Sequence, residues 1–251
     1  MSLHRRDPRF LTLEPGSVSA GLRQMDEAVE VVQFSSALED ADYRRIAKVL
    51  RKFPEAGLRA FGSYDGSIRD LDFLRHFPEL RSFSADALYQ SLEDITGLEH
   101  LRTDLNFLGI GQTKKRPSLA PVARFRELRS LYLEGQTKDI EVVGTLTNLA
   151  SLTLRSISLP DLSLLKPLSE LRALDLKLGG TRELSLLPEI GRIEYLELWM
   201  VKGLADISPV AAMPHMEFLF LQSLRQVTAL PALSNATSLR RVWLETRSSP
   251  G

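Results

Sequence analysis

The chain has 251 residues, of which 43% are hydrophobic and 25% are charged, and its 32 Lys and Arg residues equal its 32 Asp and Glu residues. This balance disfavours nucleic acid as a partner, because proteins that neutralise phosphates normally carry a basic excess. The absence of cysteine excludes disulfides, thiolate metal sites and a cysteine nucleophile. No stretch has the length of a membrane span, and the N-terminus lacks the apolar run of a signal peptide, so we expect a soluble cytoplasmic protein without membrane contacts.

The first residues do not follow the pattern of the rest of the chain. The segment AVEVVQFSS predicts a strand, and RFLTLEPGS is a candidate for another short one. The segment that follows AVEVVQFSS, LEDADYRRIAKVLRKF, places Tyr43, Ile46, Ala47 and Leu50 at helical spacing on one face. Because the open end of a repeat array needs a cover, we predict an N-terminal cap of strand plus amphipathic helix over 1–57.

From residue 58 onward the sequence repeats itself. Two weak copies of the frame L-x-x-L-x-L, which defines positions one to six of a unit, start at Leu58 and Leu80. Clear copies start at Leu128, Leu149, Leu171, Ile193, Met216 and Leu239. The clear copies follow one another at steps of 21 to 23 residues, and so constant a period indicates a repeat array. We predict about nine units over 58–246 and a tail at 247–251.

Each unit has two halves with different apolar spacing. In the first half, alternating apolar residues at positions four and six predict a short strand with one buried face. In the second half, apolar residues recur every third position, as at Leu162, Leu165 and Leu168, which suits a 3₁₀-like or irregular turn. Neither half buries its apolar edge alone, so the units are expected to stack, with their strands pairing as a parallel sheet.

The chain resembles leucine-rich-repeat proteins of the short bacterial type, with units of roughly 22 residues, and is similar to the repeat region of internalins. Segments such as GLADISPVAAMPH and SLEDITGLEH are typical of that subclass. The resemblance implies an α/β solenoid, a horseshoe with a parallel concave sheet and a short 3₁₀ or irregular convex side. One departure concerns position nine, where many such repeats place Asn or Cys. Here that position holds Gln136, Ile157, Gly179, Val201 and Leu224.

One unit is longer than the others. From Leu101 to Leu128 there are 27 residues, and the excess falls in LGIGQTKKRPSLAP, so we predict an insertion near 108–121. In the same unit LRTDLNF fits the frame only with a bulged residue, which leaves Leu105 and Phe107 facing inward. Insertions in repeats map to loops. The basic run KKR in this one favours a solvated loop over an arm that contacts an acidic partner.

The face opposite the leucines is the candidate binding surface. Side chains at positions three, five and seven point away from the buried positions, and both tryptophans of the chain fall on this side. Exposed aromatic clusters on a rigid surface are typical of binding sites, since they offer large apolar area at low entropic cost. We predict binding residues at Tyr132, Arg155, Asp175, Lys177, Tyr195, Glu197, Trp199, Phe218, Phe220 and Trp243.

These residues favour a noncatalytic module that binds a protein or peptide on its concave face, such as a bacterial immunity, adaptor or regulatory protein. One alternative is a small-molecule or carbohydrate receptor with the aromatics as stacking platforms, and another is an atypical enzyme with Asp175 and Glu197 as paired carboxylates. The aromatics could also merely pack on one another across the sheet. The histidines have no metal-ligand spacing, so we predict no metal site. We also predict no catalytic residue and no cofactor, because Asp175 and Glu197 are expected to be solvated or paired with Lys177.

The last predicted strand leaves one edge of the sheet to account for. The strand RRVWLE is followed by TRSSPG, which offers no obvious cap. Unpaired strand edges readily pair with another chain. The sequence therefore leaves two readings open, an exposed C-terminal edge and a homodimer through that edge.

Overall fold

The computed structural model describes residues 9–234 and 236–245. Its eleven described strands form one parallel sheet, in which each strand pairs with the next along the chain. The strands are β1 (Phe10–Leu13), β2 (Val31–Phe34), β3 (Gly57–Phe61), β4 (Ser82–Asp86), β5 (Phe107–Ile110), β6 (Ser130–Glu134), β7 (Ser151–Arg155), β8 (Ala173–Lys177), β9 (Tyr195–Trp199), β10 (Phe218–Gln222) and β11 (Arg241–Glu245).

The connections on the other side of the sheet contain short helices. The α-helices are α1 (Val18–Gly21) and α2 (Asp40–Leu50). The 3₁₀ helices cover Leu22–Gln24, Asp72–His76, Thr96–His100, Ala120–Arg124, Ile140–Thr145, Ser163–Leu165, Leu187–Glu189 and Ser208–Ala212. Within the described part of the chain, no helix has the length and apolar character needed to cross a membrane.

The repeat solenoid expected from the sequence is confirmed by the sheet and its register. The position-four leucines Leu152, Leu174 and Leu196 are direct partners on neighbouring strands, and all three are fully buried. Leu162, Leu165 and Leu168 on the convex side are also fully buried. The core is therefore a continuous stack of leucine columns between the sheet and the 3₁₀ turns. Each unit covers its neighbour, as in other solenoids.

The N-terminal segment contains the predicted elements. The strand expected within AVEVVQFSS is β2, the candidate strand in RFLTLEPGS is β1, and α2 buries all four residues of its predicted apolar face. Tyr43 of α2 packs edge-on against Phe34 of β2 at 5.6 Å and stacks on Phe73 at 5.2 Å between ring centroids. Residues 1–8 and 246–251 lie outside the described residues, so the bounds 1–57, 58–246 and 247–251 stay a prediction.

The frames assigned to two early units are wrong. Phe107 does not face inward: it pairs with Ser82 and Ser130 on the concave side, while Leu108 and Ile110 are buried. Position one of that unit is therefore Leu105, which lies 23 residues before the next unit, in line with the other spacings. The extra residues thus fall before Leu105 rather than in the predicted insertion near 108–121.

The second wrong frame is the one that starts at Leu58. This residue pairs with Phe83, a buried residue at position four of the following unit. Leu58 therefore occupies position four itself, and Arg59 takes position five on the concave side. The unit begins three residues earlier than the sequence pattern indicated.

The strands end in a left-handed residue that is seldom glycine. The residue directly after the strand has φ of 53° at Ser156, 57° at Leu178, 50° at Met200 and 52° at Ser223. Each donates its backbone N–H to the last residue of the next strand, at 2.7 to 2.9 Å. This backbone ladder holds the turn in units that lack the usual polar residue at position nine.

Ser156→Gly is expected to raise the free energy of unfolding by about 0.5 kcal/mol. A left-handed conformation costs a non-glycine residue about 1–2 kcal/mol, from which the greater flexibility of glycine in the unfolded chain must be subtracted. Chemical denaturation measures the change. Ser169→Gly is the matched control at another exposed serine, where φ is not positive and where the same substitution should lower stability. Equal changes in the free energy of unfolding at both positions would show that the left-handed conformation of Ser156 is not strained.

Candidate functional site

All ten predicted binding residues lie on the concave face, defined here as the side on which positions three, five and seven of the strands point away from the leucine core. None of them is buried within the core, and Trp243 is 53% exposed. Nine of them lie together on β7 to β11, whereas Tyr132 is on β6, three strands from the nearest other aromatic of the set. The sheet therefore brings most of the set together and separates Tyr132 from it.

Two stacked aromatic pairs and Trp199 form the aromatic patch, which consists of Tyr195, Trp199, Phe218, Phe220 and Trp243. The rings of Tyr195 and Phe218 are direct partners on β9 and β10, with centroids 5.1 Å apart and planes 1° from parallel. The rings of Phe220 and Trp243 stack at 6.4 Å with an angle of 27°. Because each ring is fixed by a strand in a rigid sheet, the patch presents its rings in one arrangement.

Two arginines border the aromatic patch. The Arg155 guanidinium lies over the Trp199 ring at 5.2 Å, and the Arg241 guanidinium lies over the Phe218 ring at 5.9 Å. Arg155 also donates from Nε to Oε1 of Glu134 at 3.0 Å. Planar cations stack well on aromatic faces, so the patch has a polar border that is held in place by its own rings.

A charged network runs alongside the patch on β8 and β9, and Lys177 is its centre. The Lys177 ammonium lies 2.9 Å from Oε2 of Glu197 and 3.6 Å from Oδ2 of Asp175. Tyr195 donates its hydroxyl to the same Glu197 oxygen at 3.0 Å, and Thr153 donates to Asp175 Oδ2 at 2.8 Å. The three charged side chains are only 12 to 19% exposed. The two carboxylates are therefore held by internal partners.

Burial shifts the protonation equilibria of this network. It raises the pKa of Asp175, and the Thr153 hydroxyl and Lys177 oppose the shift. Burial and the Glu197 carboxylate also raise the pKa of Tyr195, and burial and Glu134 raise that of Tyr132 to about 12. Both phenols therefore stay protonated at neutral pH and act as hydrogen-bond donors.

A second feature of the concave face escaped the sequence reasoning. Between β3 and β7 lies a hollow of about 670 Å³. Its lining includes Arg59, Ser84, Asp86, Tyr89, Phe107, Gly109, Tyr132, Glu134 and Arg155. The Arg59 guanidinium donates to both oxygens of Asp86, at 2.6 and 2.8 Å, and Gly109 leaves the floor low because it has no side chain.

The signals for this hollow were hidden by the two misplaced frames. With Leu58 at position one, Arg59 falls at position two, away from the concave columns. With Leu101 at position one, Phe107 and Gly109 fall outside them too. Starting the two units at 55 and Leu105 would have placed Arg59 and Gly109 beside Ser84, and Phe107 beside Ser82, as the register has them.

Metal binding finds no support in the arrangement of side chains. Among residues 9–234 and 236–245, no group of three or more His, Asp or Glu side chains is placed to hold a metal ion. His76 has a carboxylate neighbour, with Nε2 3.2 Å from Asp40, and it stacks on Tyr43 at 5.9 Å. These are contacts between α2 and the 3₁₀ helix Asp72–His76.

Comparisons with known proteins bear on the fold. No family model matches the chain, and no curated protein matches it at a significant level. Among solved structures it is similar to internalin C2 from Listeria monocytogenes, with 18% identity and a TM-score of 0.57 over 91% of this chain and 90% of that one. It is also similar to TLR13 in a complex with ssRNA13, with 15% identity and a TM-score of 0.50 over 93% of this chain and 38% of that one.

A third solved structure, the internalin InlF of Listeria monocytogenes, shares 16% identity and a TM-score of 0.44 over 88% of this chain and 79% of that one. At such identities a likeness concerns the fold and leaves function to the site. The match with internalin C2 extends over nearly the whole of both chains and agrees with the strand order and the leucine columns. The chain therefore has an internalin-like leucine-rich-repeat fold.

Proposed function

We propose that this protein is a noncatalytic interaction module, which binds a protein or peptide on its concave face through the aromatic patch. The observation that supports this best is the pair of aromatic stacks, Tyr195–Phe218 and Phe220–Trp243, on neighbouring strands of a rigid sheet. A surface of this kind loses little side-chain entropy on binding, since its rings are already ordered.

The charged network supports the same proposal. At the edge of the aromatic patch, the Lys177 ammonium offsets part of the negative charge of Asp175 and Glu197. A partner therefore meets an apolar centre bordered by polar groups that mostly have internal partners, although Oδ1 of Asp175 is buried without a hydrogen bond among the described residues. Energetically dominant aromatic residues surrounded by such a border are typical of protein interfaces. The same engagement of Asp175 and Glu197 speaks against the atypical enzyme, which would need one of them free as acid or base.

In its concrete form, the proposal is of a bacterial immunity, adaptor or regulatory protein that works in the cytoplasm. Binding without catalysis serves all three roles, and the identity of the partner separates them. A toxic enzyme as sole partner would indicate immunity, and two partners bound at once would indicate an adaptor. A single partner whose activity changes on binding would indicate a regulator.

Affinity capture from the native host, followed by mass spectrometry, tests the proposal. Replacing both Trp199 and Phe218 with Ala should weaken the captured complex by at least about a hundredfold, because hot-spot aromatics contribute about 2 kcal/mol or more each. The control is Tyr64→Ala, since Tyr64 is 90% exposed and does not belong to the aromatic patch. Circular dichroism establishes that the variants remain folded. Undiminished capture by the double variant would overturn the proposal.

A fluorescence titration tests the remaining alternative, a receptor for a small molecule or a carbohydrate. A small-molecule or carbohydrate ligand stacked on these rings should quench the fluorescence of Trp199 and Trp243 with saturation. A protein that gives saturable quenching by a small ligand and captures no macromolecule is a receptor of that kind. If neither binding is seen, the stacks serve only to pack the sheet.

A further inference from the structure

The last described strand, β11, is exposed in a way that the other long strands are not. On β10 the core-facing residues Leu219 and Leu221 are 0% and 6% exposed. Their partners on β11, Val242 and Leu244, are 37% and 52% exposed. No described residue pairs with the outer edge of β11. The leucine columns of the core therefore end at an apolar surface that the described residues leave uncovered.

Among the described residues, none pairs with the backbone polar groups on the outer side of β11. The N–H of Arg241 and the C=O of Glu245 bond to residues flanking β10 at 3.1 and 2.9 Å. The backbone N–H and C=O groups of successive residues point to opposite sides of a strand. Those of Trp243 therefore also point toward β10, while those of Val242 and Leu244 point outward. Two donors and two acceptors are thus available to another strand.

The sequence of the strand, Arg-Val-Trp-Leu-Glu, is complementary to itself when reversed. In an antiparallel pair centred on Trp243, Arg241 of each copy lies opposite Glu245 of the other. Val242 lies opposite Leu244, and the two indole rings face each other on the concave side. Opposite charges directly across a pair stabilise it, and the two Val242–Leu244 pairs close the core.

We propose that β11 pairs antiparallel with β11 of a second copy of this chain, about a two-fold axis at Trp243. In this register, Val242 of each copy forms two backbone hydrogen bonds with Leu244 of the other. All four outward N–H and C=O groups of each strand are then hydrogen-bonded. The pairing is isologous and closes after two copies. It joins the two sheets into one and covers the ends of both leucine cores.

The loop between β10 and β11 adds apolar surface next to the same edge. A groove of about 180 Å³ next to β11 is lined by apolar side chains that include Leu224, Val227, Leu230 and Leu244, and Leu230 is 43% exposed. Leu244 lines the groove, so the groove adjoins the edge at which a second copy would pair. The dimer does not require the partner proposed for the concave face, but it brings Trp243 and the aromatic patches of the two copies side by side.

Sedimentation velocity and light scattering of the full chain test the proposal, and a dimer is expected. Arg241→Glu or Glu245→Arg alone turns two attractive pairs into two repulsive ones and should weaken the dimer by at least about tenfold. The double variant carrying both substitutions should restore it. Arg192→Glu, at an exposed residue far from the edge, is the charge-matched control. A monomer at micromolar concentrations, an unchanged single variant or a failed rescue would overturn the proposal.

Single cysteines test the register itself, because the chain contains no other cysteine. At the two-fold axis the residues form a non-hydrogen-bonded pair about 4.5 Å apart between Cα atoms, so Trp243→Cys should oxidise to a covalent dimer. Leu244→Cys should not bridge to itself, because the offset of two residues separates its copies beyond the reach of a disulfide, about 7 Å. Bridging by Leu244→Cys in preference, or growth of filaments, would show a different pairing and overturn this one.

Discussion

Replacing Lys177 with Met is expected to lower the free energy of unfolding by about 3 kcal/mol at pH 7. The ammonium is the only cation within 4 Å of either Asp175 or Glu197 among the described residues, and both carboxylates are largely buried. Removing one partner from a buried ion pair typically costs about 3–5 kcal/mol, because the remaining charge is left uncompensated. Methionine keeps most of the volume of the side chain, so packing changes little.

The cost should shrink as the pH falls. Burial already raises the pKa of Asp175, so its protonation stabilises the folded state and this contribution is lost as the pH rises through its folded pKa. Without Lys177 the pKa of Asp175 rises further. Acidification therefore raises the free energy of unfolding of the variant more than that of the wild-type protein. The difference in unfolding free energy between the two proteins is smaller at pH 4 than at pH 7.

Chemical denaturation at the two pH values measures both effects. Lys202→Met is the matched control, since Lys202 is exposed and its loss should change stability by less than about 0.5 kcal/mol. Adding Asp175→Asn and Glu197→Gln to the Lys177 variant should recover much of the loss, because neutral amides need no cation. A variant as stable as the wild-type protein at pH 7 would show that the network is solvated.

Leu174→Ala is expected to cost about 3 kcal/mol of unfolding free energy. Leu174 is fully buried between Leu152 and Leu196 in the position-four column. Truncating a buried leucine costs about 2–5 kcal/mol, which includes the lost transfer energy and the cavity left behind. Solenoid units are held by their neighbours, so a gap in the middle of the array weakens the contacts on both sides.

Thermal or chemical unfolding of the Leu174 variant measures this loss. Leu186→Ala is the control, because Leu186 lies on the convex side and is only partly buried. Its truncation should cost about 1 kcal/mol, since less apolar surface returns to water. Equal losses at the two positions would contradict the assignment of the position-four column as the centre of the core.

The later units could be predicted closely from the sequence because their pattern has one solution. From Leu128 onward, leucine or another aliphatic residue occupies positions one, four and six, and the residues between them are mostly polar, so only one frame fits. The unit at Leu105 has two solutions. Leu101 is also buried, four residues earlier, and Phe107 is an apolar residue at a concave position. Hydrophobicity alone does not separate these frames.

Some features of the candidate site could likewise be predicted from the sequence, and others could not. Counting positions was enough to place Trp199 and Trp243 on the concave face and the ring of Tyr195 beside that of Phe218. The role of Lys177 between two carboxylates depends on side-chain reach across strands, which spacing does not give. The left-handed turn residues such as Leu178 were also hidden, since a non-glycine residue carries no sequence mark for that conformation.

The proposed recognition surface is tested most directly by a photo-crosslinking residue in the native host. Benzoylphenylalanine in place of Phe220 puts the crosslinker in the aromatic patch, and the same residue in place of Lys166 puts it on the convex side, where Lys166 is 47% exposed. We expect irradiation to join a discrete partner protein at Phe220 and none at Lys166. A partner joined only at Lys166, or no macromolecule joined at Phe220, would contradict binding on the concave face.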